Sequence, residues 1–350
     1  MEKYRIRYGD GAIIEMTKDE VADEVRKGVE DGVKRAKVPA LSEDDITHIT
    51  DVFCSKERIV SVEPGKEVVM TTDVGDDKCR CMVGASFSRP DEAVIAEKVI
   101  GLDSIDMGCQ EYSYKNIKNI MELSETTEVK NALNNTIFPV IYGSMPNLGL
   151  YTQPDGMYPN WNDLLPQGKM KEARESQEKA LVDCTNDIYR TSKRMYEMGI
   201  DAVNFDTTAA SGDADFMAGL QATERLKKEF PDLPIEMGMA SEFVLGNHCG
   251  LKYGGKRLAG MFPHQQVEVC QEAEVDIFGP VVNTNTSRTT PWNVGRVCTM
   301  IKECSRVSQI PLHANAGMGV NGIPMSVEQG ADAVSRVAKC LVEICKIDGL

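Results

Sequence analysis

No run of about 20 apolar residues, the length needed to cross a bilayer, occurs in this 350-residue chain. The opening residues Met1-Glu-Lys-Tyr-Arg-Ile-Arg7 contain no apolar signal core, and the two absences together point to a cytoplasmic protein without a membrane partner. Positive charge is short as well: 39 Lys and Arg face 54 Asp and Glu, a net charge of −15. That balance argues against a phosphate-backbone partner, so nucleic acid is not expected. A disulfide framework is lacking, because the eleven cysteines are scattered and odd in number; they read as reduced interior thiols. Zinc spacing is lacking too. Cys79-Arg-Cys81 has one residue between its thiols and His248-Cys249 has no evident partners, so no metal is expected. No Gly-rich phosphate fingerprint follows the first candidate strand, and Gly317-Met-Gly-Val-Asn-Gly322 lacks the lysine of a P-loop.

What is present is a large apolar fraction, 42%, with a regular rhythm beyond residue 100. Six short apolar segments end in polar residues or Gly: Ser104–Gly108, Phe138–Gly143, Asp201–Asp206, Pro234–Gly238, Val275–Gly279 and Pro311–Asn315. Long helical patterns separate them, notably Met170 to Met198, Thr290 to Ser308 and Ser326 to Lys346. Strands alternating with helices imply a parallel sheet, since each crossover helix returns the chain to the same edge. The length fits a (β/α)8 TIM barrel, here cut after about six units; a doubly wound open sheet is the alternative. Residues 1–100 lack the rhythm. They read as an N-terminal extension with helices from Lys18 to Arg35 and from Ser42 to Phe53, the latter capped by Ser42 with Asp45, and a strand from Val68 to Val74. Residues 101–350 form the incomplete barrel domain. At the chain end, Gly349 is expected to stop a helix and Leu350 to open the next strand.

In such barrels the active site forms where strands end. Those ends supply Asn204, Asp206, Glu236, Asn283, Asn285, His313 and Asn315, with Glu242 in the loop after the fourth strand. Carboxylates and amides converging there suit a small ammonium ligand and proton movement. Each residue also has a plainer reading. Asp206 to Thr208 could cap the next helix together with Ser211 or Asp213, Asn283 to Thr286 could be a self-satisfied turn, and His313 could be a core histidine. Glu236 resists this treatment, because a carboxylate inside an apolar strand is costly to bury unless it is paired. Trp292 is expected to anchor a helix start.

Four segments carry a resemblance: Tyr142-Gly-Ser-Met-Pro-Asn-Leu-Gly-Leu-Tyr151, Val203-Asn-Phe-Asp-Thr-Thr-Ala-Ala-Ser-Gly-Asp-Ala-Asp-Phe216, Phe278-Gly-Pro-Val-Val-Asn-Thr-Asn-Thr286 and Gly317-Met-Gly-Val-Asn-Gly-Ile-Pro-Met325. The chain resembles, over its whole length, the dimethylamine:corrinoid methyltransferases of methylotrophic methanogenic archaea. The resemblance implies a TIM barrel and transfer of a methyl group from dimethylamine to the Co(I) of a cognate corrinoid protein, releasing methylamine for methanogenesis. It implies that the corrinoid comes with the partner, that no cofactor is tightly bound, and that pyrrolysine, encoded by UAG, follows Leu350. The 350-residue form would then be inactive by itself, and a homo-oligomer is compatible with it. By position, Glu236, Asp206 and Glu242 take the catalytic role, and Asn204, Asn283, Asn285, His313 and Asn315 face substrate or corrinoid. The alternatives are a non-catalytic fragment binding the corrinoid protein and a pyrrolysine-free methyltransferase for another methylated amine.

Overall fold

The computed structural model describes residues 2–66, 68, 104–105, 113–114, 141–144, 146–246, 250–314 and 331–350. In chain order the strands are β1 (Tyr4–Arg7), β2 (Ile13–Met16), β3 (Ser104–Ile105), β4 (Ser113–Tyr114), β5 (Ile141–Ser144), β6 (Ala202–Thr208), β7 (Ile235–Met239), β8 (Lys252–Tyr253), β9 (Lys256–Arg257) and β10 (Ile277–Gly279). The helices are α1 (Lys18–Ala36), α2 (Glu43–Phe53), α3 (Trp161–Leu164), α4 (Met170–Glu197), α5 (Asp213–Glu229), α6 (Pro263–Glu272), α7 (Thr290–Val307) and α8 (Ala331–Cys340). Among the described residues, no helix is long and apolar enough to cross a membrane.

Two compact units emerge: one of Met1–Phe138, Val282–Ser305 and Ala314–Leu350, the other of Pro139–Val281 and Arg306–His313. In the first, Thr17 and Ser42 open α1 and α2 with full capping boxes, the second built with Asp45. Helix α1 lies against α7 at unusual proximity: a Cβ on Gly28 would sit 2.0 Å from the Trp292 carbonyl oxygen, and one on Gly295 would sit 2.5 Å from that of Val25. Glycine at these positions lets the two backbones touch, and Arg296 Nε locks the crossing with a 2.7 Å ion pair to Asp31. Trp292 is buried at the start of α7, as expected of an anchor. Helix α8 passes into a π-turn, Leu341–Cys345, and ends at Lys346 in the left-handed region with φ of 57°. The stop therefore falls three residues before Gly349. Beyond it, Ala314 N–H donates to Gly349 O at 3.1 Å, so the final residues run beside those that follow His313.

The second unit is an α/β layer whose four-stranded parallel sheet has the order β5-β6-β7-β10. Leu312 continues it through a parallel bridge to Phe278. Each parallel strand thus pairs with the next parallel strand along the chain. The segment at Ser104 departs from the expected pattern: Ser104–Ile105 pairs antiparallel with Ser113–Tyr114, because residues 106–112 are too few for a parallel crossover. Strand-like Val68 to Val74 falls outside the described residues, apart from residue 68, and so does Gly317 to Met325. The seven described cysteines are all free thiols, six of them buried.

Candidate functional site at the ends of the parallel strands

Alternation along β6 and β7 divides the sheet into two faces. Val203, Phe205, Ile235 and Met237 are completely buried, as is Phe278 on β10. The residues between them, Asn204, Asp206, Glu236 and Gly238, lie on the half-buried face. Register brings Asn204 directly opposite Glu236. Across the strands, a Cβ on Gly238 would lie 3.2 Å from Asp206 Oδ1 and 3.9 Å from Asn204 Oδ1, so both side chains lean over the bare backbone of Gly238.

The segment after α7 completes the group. Phe278 N–H donates to Pro311 O and His313 N–H donates to Phe278 O, both at 3.0 Å, which fixes His313 beside β10. From there the His313 ring places Nδ1 2.5 Å from Glu236 Oε1. The Glu236 side chain is only 12% exposed, so this short contact sits in a weakly solvated place where hydrogen bonds to charge are strong. Asn204 Oδ1 is buried and has no hydrogen-bond partner among the described residues. An orphaned acceptor beside a carboxylate and a histidine is a place for a donor to land.

The backbone after Asp206 is strained. Thr207 and Ala209 have φ of 51° and 69°, and the pairing of β6 with β7 shifts between Phe205 and Thr208. A β-branched residue in the left-handed region is uncommon, and strain of this kind concentrates at functional sites. Asp206 Oδ1 accepts from Thr207 N–H at 2.7 Å, which stabilises the kink and directs the carboxylate. The N-cap of α5 is Gly212 with no side-chain cap, so neither Ser211 nor Asp213 takes that duty.

Asp215 was not evident in the sequence. It is completely buried, and it accepts Leu148 N–H at 3.1 Å and Ser211 N–H at 2.8 Å, tying the segment after β5 to the segment after β6. Burial pushes its pKa up to about 6 against the opposing pull of those donors. An acidic residue in a helix's first turn looks like an ordinary dipole partner, so no sequence signal separated it from its neighbours.

Glu242 is 1% exposed in the loop after β7. Asn283 and Asn285 are exposed and belong to the other unit. Asn283 O accepts from Arg296 on α7, and Asn285 Oδ1 accepts from Ser287 N–H and hydroxyl at 2.9 and 2.7 Å, a local pairing of the kind turns make. Asn315 falls outside the described residues.

No solved structure matches the chain. The family model that matches is that of dimethylamine methyltransferase, and it spans residues 2–350. With the motifs of β5, β6 and β10 included in that span, the chain belongs to the dimethylamine methyltransferase family.

Proposed function

We propose that the protein transfers a methyl group from dimethylamine to the cobalt of a partner corrinoid protein, in the cytoplasm of a methylotrophic methanogen, and that the polar face of β6 and β7 holds the amine. Family membership supports the substrate, and the consecutive parallel strands support a (β/α)8 barrel as the fold of residues 101–350, behind an extension of residues 1–100. The single observation that carries the reading is the 2.5 Å contact between Glu236 and His313 on that face.

Dimethylamine is an ammonium ion at neutral pH. Its N–H groups match the Asn204 Oδ1 acceptor and the carboxylates of Glu236 and Asp206, which together would hold the nitrogen and leave a methyl carbon pointing away. When the C–N bond breaks, its electron pair stays on nitrogen, and only a proton held there lets methylamine leave as a neutral molecule. Glu236 is placed to keep that proton, and His313 is placed to keep Glu236 in one orientation and share its charge. Glu242 is the reserve carboxylate of the loop. The corrinoid on the partner would supply the nucleophile.

The test is methyl transfer from dimethylamine to the reduced corrinoid protein, followed by the cobalt spectrum, with methylamine and trimethylamine as parallel donors. In the enzyme as its gene expresses it in the host, Glu236→Gln should lower turnover by about 10² to 10⁴ while melting stays unchanged. Turnover near wild type would pass the role to Asp206 or Glu242.

A further inference from the structure

The end of α2, strand β1 and the first turns of α8 enclose a groove of about 410 Å³ in the first unit. Six cations line it, Lys3, Arg5, Arg7, Lys56, Arg58 and Arg336, against the two carboxylates Glu57 and Asp332. This runs against the composition of a chain with a net charge of −15. Three of the six are committed. Arg7 pairs with Asp332 at 2.9 Å and Lys56 with Glu2 at 2.7 Å. Arg336 donates to the carbonyls of Ser55, Glu57, Arg58 and Asp332, and so pins the turn that presents Arg58.

Lys3, Arg5 and Arg58 are exposed and have no ion-pair partner among the described residues; Glu15 stands opposite Arg5 in register without bridging to it. The groove also has an apolar side in Ile6, Phe53 and Ala333, all buried. Cationic rim and apolar wall together suit a small organic anion, and the volume lies in the range of small-molecule sites. Size decides against a macromolecule. Screening limits each charge to about 8 Å at physiological salt, so a small ligand inside the groove meets chiefly its cations, whereas a large polyanion would face the acidic surface around it.

We propose that this groove binds a small anion carrying at least two phosphate or carboxylate groups, with Lys3, Arg5 and Arg58 as the donors. Such groups reach two arginines at once, and each charge-assisted pair is a strong contact. The site is separate in sequence from the strand-end residues, so its occupancy is independent of the methyltransferase reading.

Calorimetric titration of the full chain with inorganic pyrophosphate, and separately with citrate, tests the proposal, with sedimentation on phosphatidylglycerol vesicles as a second arm. The expected result is saturable binding of pyrophosphate or citrate that weakens with added salt. Arg5→Ala with Arg58→Ala should weaken it by about tenfold or more, from the loss of two charge-assisted contacts, while the melting temperature without ligand stays put. Glu236→Gln should bind as wild type does. Vesicle binding that the same double variant abolishes, with no affinity for free pyrophosphate or citrate, would overturn the small-anion proposal in favour of a lipid surface. Absence of binding in both arms, or binding that the double variant leaves unchanged, overturns the proposal.

Discussion

Glu236 Oε1 and His313 Nδ1 lie 2.5 Å apart although 77 residues separate them in the chain. They meet because β10 pairs with β7 on one edge and with the residues flanking Leu312 on the other. Two groups held this way should act as one. Glu236→Gln and His313→Asn are each expected to lower methyl transfer, and the double variant to be no slower than the slower single. Losses that multiply in the double variant would show that the two side chains work separately.

Asp215 predicts an acid-range signature. Its pKa stands near 6 in the folded protein against an ordinary 3.8, so between those values the native state holds more protons than the unfolded chain. Stability should therefore fall as pH rises from about 4 to about 6 and level off above, with an amplitude of about 3 kcal/mol from this group. Asp215→Asn removes the slope. Urea unfolding of both proteins across that range checks it, and parallel pH profiles would refute the buried carboxylate.

Gly28 sets helix propensity against packing. In an exposed helix, Gly→Ala gains about 1 kcal/mol; here the new Cβ would meet the Trp292 carbonyl oxygen at 2.0 Å. Overpacking should win, with Gly28→Ala losing about 2 to 3 kcal/mol in urea unfolding. A stabilised variant would mean that α1 and α7 separate without cost.

How much of this the sequence disclosed depends on whether a signal was local. Helix caps were legible because Ser42 and Asp45 satisfy each other within one turn. Glu236 was legible because it is the charge in an otherwise apolar segment, on the face opposite Ile235 and Met237. Its partner was not, since nothing local to His313 names a residue on another strand. The segment Ser104–Gly108 reads as a parallel strand, but its alternation carries no strand direction, and Ser104–Ile105 pairs antiparallel. The end of the last helix at Lys346 was legible from where the apolar period stops, but the residue that makes the stop was not, since Lys346 adopts a left-handed conformation normally left to Gly or Asn. The local bonds of Asn285 to Ser287 were legible as a turn, whereas the Arg296 donor to Asn283 O comes from another element and left no local signal.

Glu343 should anchor the opposite end of the acid profile. Its side chain, 2% exposed, meets His48 Nε2 at 2.6 Å, Lys339 Nζ at 2.9 Å and Glu63 N–H at 2.8 Å. Burial raises its pKa, but Lys339, the Glu63 amide and His48 together outweigh that and leave it below the usual carboxylate value. This stabilisation is present above the unfolded value of about 4 and is lost as pH falls through the lower folded one. Glu343→Gln should cost about 2 to 4 kcal/mol at neutral pH, shrinking in acid, as read by urea unfolding. Equal stability at pH 7 would make the cluster dispensable.

The order of the parallel sheet, in which each strand pairs with its predecessor, has a consequence for biosynthesis. Among the described strands of that sheet, none waits for a later one to be inserted between it and its neighbour, so each loop closure spans a single crossover. The sheet can lengthen in the direction of translation, each new strand docking on an edge already formed as it leaves the ribosome.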